Sequence, residues 1–176
     1  MKKGLIIVYT GSGKGKTTAA LGLALRSLGH NHNVCMVQFI KGSWHYGEMT
    51  SANLLKPRFE LIAGGRGFVG IIDDNKPVVE HKQIAQQTIN ICKKKMLSKK
   101  YNTIILDEIN YAVNINLIKL DDVIDIIKLK PFEQNLVLTG NYARSEIIEL
   151  ADLVTEMKEI KHPFKKGIKA KEGIDF

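Results

Sequence analysis

The stretch GLIIVYTGSGKGKTTAALG, residues 4–22, decides the fold. It opens on a continuous apolar run from Gly4 to Tyr9, the pattern of a strand buried on both faces. A glycine-rich turn follows. Ala20, Leu23, Ala24, Ser27 and Leu28 then recur at helical spacing, and Gly29 is expected to end the helix. Strand, glycine-rich loop and helix in that order form the setting of a phosphate-binding loop, G-x-x-x-x-G-K-[ST]. Here the frame reads Thr10-Gly11-Ser12-Gly13-Lys14-Gly15-Lys16-Thr17, with Thr10 in place of the first glycine. Gly11, Gly13 and Gly15 are expected to take positive φ and let backbone N–H groups converge on an anion. The start of the helix near Lys16 adds its positive dipole end. Lys16 is expected to reach phosphate oxygens and Thr17 to offer its hydroxyl to Mg²⁺ or Mn²⁺, with Lys14 and Thr18 as further contacts.

A metal held by Thr17 needs a carboxylate, and TIILDE at residues 103–108 supplies a buried strand ending in Asp107 and Glu108. Neighbouring side chains on a strand point to opposite faces, so the two acids are expected to do different work. Asp107 is placed beneath Thr17. Glu108 is left to contact the metal, polarise a water or position a substrate.

Outward from these motifs the alternation continues. Strands are expected at NVCMVQFI (33–40), RFELIA (58–63), NLVLTG (135–140) and LVTEMK (153–158). Ala85, Ile89, Cys92 and Met96 mark a helix, DDVIDIIKLKP (121–131) a short one capped by Asp121, and a third lies near 145–151. Residues 64–78 read as a long loop. This alternation predicts an α/β fold: a single domain over 1–176 with a mostly parallel sheet flanked by helices, of the P-loop or RecA-like nucleotide-binding kind. The tail, 159–176, is expected to pack on its surface.

The chain has 176 residues, 44 % of them hydrophobic, and a formal charge of +8, which favours anionic partners without choosing among them. Cys35 and Cys92 lack metal-ligand spacing and read as reduced core residues. His30, His32, His81 and His162 read as surface or capping residues, and the lysines at 93–95 and 99–100 as a solvated helix face. The apolar run after Lys2 and Lys3 is too short for a signal peptide or a membrane span, so the expected location is cytoplasmic, with no membrane partner.

Beyond the loop, TGSGKGKTTAALGLALRSLGH, VQFIKGSWHYGE, ILDEINYAV, LTG and ELADLVTEMKEIKHPFKKGIKAKEGIDF together resemble the ATP:corrinoid adenosyltransferases of the CobA/BtuR type, from Gly4 to Phe176. The resemblance implies that the reduced cobalt of a corrinoid attacks the 5′ carbon of ATP, and that the three phosphates leave together as tripolyphosphate. It implies that Thr10 to Thr18 grip the triphosphate, with Lys16 and Glu108 as catalytic groups and Mg²⁺ bridging to Thr17, Asp107 and Glu108. ATP would lie with its γ-phosphate deepest. The family's aromatic corrinoid loop, G-F-T-W, corresponds to Gly67-Phe68-Val69-Gly70, so Phe68 matches as a corrinoid contact and Gly70 stands where the tryptophan would be. Asn141 stands where the family usually has arginine after LTG. A flavodoxin-type reductant and a homodimer are further implications.

Two alternatives stay open: a weakened or non-catalytic ATP- or corrinoid-binding module, motivated by Gly70 and Asn141, and a thymidine-kinase-like phosphoryl transferase. The latter would need a base-reading loop, often zinc-bearing, for which the cysteines are missing. A nucleic-acid ATPase would suit the charge, but aromatics are only 7 % and arginines are few, so no nucleic-acid partner is expected. Trp44, His45 and Tyr46 lie in the loop after the second strand and are candidates either for lining a ligand pocket or for anchoring that loop, while Lys41 and Glu48 match the family segment around them without an assigned role.

Overall fold

The computed structural model describes residues 2–40, 45–64 and 77–176. Six strands form one sheet: β1 (Ile6–Thr10), β2 (Val34–Gln38), β3 (Phe59–Ala63), β4 (Thr103–Asp107), β5 (Asn135–Thr139) and β6 (Leu153–Glu156). Their spatial order is β3-β2-β4-β5-β1-β6, and every neighbouring pair is parallel. The helices are α1 (Lys16–Gly29), α2 (Gly47–Leu54), α3 (Val78–Leu97), α4 (Ile109–Asn114), α5 (Leu120–Leu129) and α6 (Ser145–Leu150). A 3₁₀ turn, Pro163–Lys166, follows.

Continuous apolar runs formed the central strands because both faces of the sheet are covered. Along β1, Ile7 faces α1 and α2 while Val8 joins the opposite core. Along β4, Ile105 goes to the first face, and Ile104 and Leu106 go to the second. The first core is closed by Ala20 and Ala24 of α1 and Ala52 of α2. The second is closed by Ala85, Ile89, Cys92 and Met96 of α3, Val123 and Ile126 of α5, and Ile147 of α6. Small residues on α1 let it lie close over the strand ends that carry the phosphate loop. Cys35 and Cys92 are buried and unpaired, and burial pushes the Cys35 thiol up to about 12.

Several expectations need correction. Helix α1 does end at Gly29, with His30 at its cap, but the left-handed residue that follows, at φ +61°, is Asn31 rather than a glycine. Helix α5 starts at Leu120 with Lys119 at its cap, so Asp121 and Asp122 sit in the first turn, where they favour the helix dipole. His81 is buried rather than at the surface, whereas His162 does cap a turn, its Nδ1 accepting from the Phe164 N–H at 3.3 Å. Lys95 does more than solvate a helix: it pairs with Glu60 at 2.6 Å. Most of the expected loop, 64–78, lies outside the described residues, and its last residue, Val78, opens α3.

The sheet's register brings polar residues together at the carboxyl ends of its central strands. Gln38 pairs with Asp107, and Tyr9 with Thr139. Thr10, Gln38, Asp107 and Thr139 therefore end four adjacent strands on one rim, where ligands of open α/β sheets bind.

Candidate functional site at the carboxyl rim of the sheet

The loop between β1 and α1 is shaped by two glycines in left-handed conformations, Gly11 at φ +95° and Gly15 at φ +115°. Gly15 directly precedes the first turn of α1, whose free N–H groups and dipole face the loop. Gly13 has no positive φ; it is required by close approach. A Cβ there would lie 2.8 Å from the carbonyl carbon of Lys158, and its N–H donates to the Met157 carbonyl at 2.6 Å. That donor fastens the loop to the chain leaving β6.

Lys16 is nearly buried, at 9 % exposure, and its ammonium donates to the Gly11 and Gly13 carbonyls at 2.9 and 2.8 Å. Burial pulls its pKa down, and the charges of Glu108 and Asp107 oppose that shift. The cation is thus held over the loop by partners that leave one of its three donors for another acceptor.

Asp107 is wholly buried. Its Oδ1 accepts from Thr17 Oγ1 at 2.9 Å and from Thr139 Oγ1 at 2.7 Å, and its Oδ2 accepts from Gln38 Nε2 at 3.2 Å. Gln38 Nε2 also donates to Glu48 Oε1 at 3.3 Å, which ties α2 to the same carboxylate. Glu108 does not continue the strand. It adopts a left-handed φ of +62°, its N–H donates to Thr139 Oγ1 at 3.0 Å, and α4 begins at the next residue. A non-glycine residue in that conformation is a local strain of the kind that clusters at functional sites.

Lys14, Gly15, Lys16, Thr17 and Thr18 line a cleft of about 790 Å³, together with Glu108, Glu48 and the carboxyl-terminal residues Gly173 to Phe176. Its floor along α1 is apolar, with Leu21, Leu25 and Leu28 facing Leu55 and Phe59. Thr10 lies beneath, its hydroxyl accepting from the Ala143 N–H at 3.2 Å. Ser12 is exposed at the loop tip. Tyr46 is buried and His45 exposed, the latter within 2.9 Å of Thr50 Oγ1. Phe68, Gly70, Lys41 and Trp44 lie outside the described residues.

Sequence reasoning missed Gln38, Thr139 and Asp175 as neighbours of these groups, and it noted Glu48 only as a match to the family segment, without a role. Gln38 and Thr139 stand in apolar strands, and the register alone reveals them. Asn141 Oδ1 and both amide atoms of the buried Asn110, just past the ends of β5 and β4, have no protein partner among the described residues.

A glycine loop after β1, a buried lysine at the start of α1 and a carboxylate at the end of β4 define a P-loop nucleotide-binding protein. Solved structures agree on that fold. The KaiC-like protein PH0186 from Pyrococcus horikoshii OT3 aligns with TM-score 0.54 and 16 % identity, over 90 % of this chain and 75 % of that one. The RadB recombinase aligns with TM-score 0.55 and 15 % identity, over 92 % and 78 %. Sequence comparison is more specific. The model of the ATP:corrinoid adenosyltransferase BtuR/CobO/CobP family matches residues 2–176. The corrinoid adenosyltransferase of Escherichia coli (strain K12) is 36 % identical over 99 % of this chain and 87 % of its own length. Corrinoid adenosyltransferase CobA of Salmonella typhimurium is 39 % identical over the same shares. The chain belongs to the ATP:corrinoid adenosyltransferase family.

Proposed function

We propose that this chain transfers the 5′-deoxyadenosyl group of ATP to the Co(I) centre of a corrinoid and releases tripolyphosphate. The cobalt–carbon bond forms as the C5′–O bond breaks, and the electron pair of that bond leaves on the triphosphate oxygen. The observation that carries the reading is the buried Lys16 and the Thr17–Asp107 pair, set at the mouth of a phosphate loop in a chain of this family.

The leaving group is a concentrated polyanion, so donors aimed at it lower the barrier. Gly15, Lys16, Thr17, Thr18 and Lys14 would grip it from the cleft, with Thr10 to Gly13 holding the loop in shape. Lys16 would contribute a charge-assisted contact and Glu108 would orient the substrate at the rim. The hydroxyl of Thr17 and the carboxylate of Asp107 are hard oxygen donors 2.9 Å apart, a set suited to Mg²⁺ or Mn²⁺. Such an ion would supply further neutralisation of the triphosphate, with Glu108 close enough in sequence to share it. Asn110 and Asn141 offer amide atoms at the same rim. Phe68 is assigned to the corrinoid on the resemblance alone.

Family membership also supports a homodimer, a flavodoxin-type reductant for the corrinoid and a cytoplasmic site of action. We assign residues 1–176 to one domain with the tail, 159–176, packed on it. Among the described residues no helix is long and apolar enough to cross a membrane.

The test is direct. Protein, ATP, Mg²⁺ and chemically reduced cobalamin are mixed without oxygen. The alkyl-cobalamin spectrum should grow with one tripolyphosphate per cobalamin. ADP and phosphate would favour a phosphoryl transferase, and ligand binding without product would favour a binding module.

A further inference from the structure

The carboxyl-terminal turn returns to the phosphate loop across 161 positions of sequence. Gly173, at φ +73°, reverses the chain. The N–H groups of Ile174 and Asp175 donate to the Lys171 carbonyl at 3.1 and 2.8 Å, and the Lys171 N–H donates to Asp175 Oδ2 at 2.8 Å. The carboxylate is therefore oriented by its own turn. Its other oxygen, Oδ1, accepts from Lys14 Nζ at 2.5 Å, with the two side chains 43 % and 23 % exposed for Lys14 and Asp175. The bond to Lys14, and next the bond from the Lys171 N–H, hold the Asp175 carboxyl below its ordinary range, so it is charged at neutral pH.

Both partners line the cleft that also carries Lys16, Thr17 and Thr18. A polyphosphate there meets a lysine already neutralised and a carboxylate of its own sign. Tripolyphosphate feels this more than ATP, because breaking the ester bond leaves one more negative charge on the same three phosphorus atoms. We propose that Asp175 is a positioning residue that competes with the polyphosphate for Lys14, and thereby promotes the departure of tripolyphosphate after transfer. Lys14 swings between the tail and the triphosphate, and Asp175 sets how strongly it is drawn back. The inference rests on the loop being the polyphosphate site described above.

The experiment is a double-mutant cycle read by titration calorimetry, with inorganic tripolyphosphate and ATP as separate ligands in the presence of Mg²⁺. The full chain, Asp175→Asn, Lys14→Met and the double variant are compared. Asparagine keeps an acceptor for the Lys171 N–H, so the turn is retained. Asp175→Asn should bind tripolyphosphate about three- to tenfold tighter, with a smaller gain for ATP, the scale expected of a partly exposed ion pair plus the repulsion removed. In the Lys14→Met background the gain should shrink to the smaller part that comes from the repulsion alone. Unchanged or weaker binding by Asp175→Asn overturns the inference, as does an equal gain without Lys14. A native chain that binds no tripolyphosphate refutes the reading of the loop itself.

Discussion

Replacing Lys16 with methionine removes a charge while keeping the length and packing of the stem. In the folded chain the ammonium makes two bonds to loop carbonyls at 2.9 and 2.8 Å and is 9 % exposed. A hydrogen bond from a charged group to a phosphate contributes about 1.5–3 kcal/mol. Losing one such contact to the departing triphosphate should lower kcat/KM for ATP about 10- to 150-fold, at about 1.4 kcal/mol per factor of ten. Stability should move less. The two lost bonds destabilise the loop, whereas removing an ammonium that burial disfavours stabilises it, so Tm should stay within about 4 °C. The assay follows alkyl-cobalamin absorbance against ATP concentration, with circular dichroism as the folding control. A folded variant within about twofold of the native kcat/KM would refute the assigned role of Lys16.

The same residue predicts a pH dependence. Its folded pKa lies below the ordinary lysine value of 10.5, because burial outweighs the charges of Glu108 and Asp107. Between those two values the unfolded chain holds more protons than the folded one, so stability of the native chain relative to Lys16→Met should rise with pH across that window. Over the same window kcat/KM should fall as the ammonium is lost, and the variant should lack that alkaline limb.

Gly11→Ala places a Cβ 2.4 Å from the Met157 carbonyl oxygen at φ +95°, so it should cost about 2–4 kcal/mol in chemical denaturation together with most of the ATP binding. Glu108→Gly relieves the left-handed backbone at φ +62° and should leave stability unchanged or about 1 kcal/mol higher, while turnover falls at least about tenfold. A stable variant of full activity would show that the strain serves no catalytic end. Lys130 donates to the carbonyls of Gly4, Pro131 and Gln134 at 3.0, 3.1 and 2.8 Å, and it lies at the opposite end of the sheet from the cleft. Lys130→Met should lower stability by about 1–3 kcal/mol and leave KM for ATP unchanged.

The central strands were legible because their apolar runs answer to two buried faces, which no other element of this length requires. Helix α3 was legible because Ala85, Ile89, Cys92 and Met96 all enter one core. Helix α2 was not, since Ala52 is its only buried residue, and α4 was not, since a single left-handed residue separates it from β4. The phosphate loop declared itself through its glycines, but the reason for Gly13 depends on Met157 and Lys158, which no local pattern connects to it. Gln38 and Thr139 reach Asp107 through strand order alone. Asp175 reaches Lys14 through a tail whose sequence has no periodicity to read.

Which bond of the nucleotide breaks is decided most directly by ATP carrying ¹⁸O in the bridge between C5′ and the α-phosphorus. Incubated with the native chain, Mg²⁺ and reduced cobalamin, it should yield tripolyphosphate that retains the whole label and an adenosyl-cobalamin that carries none. Label found in ADP or AMP, with tripolyphosphate absent, would mean that the loop serves cleavage between phosphates and that the adenosyl transfer assigned to this chain is wrong.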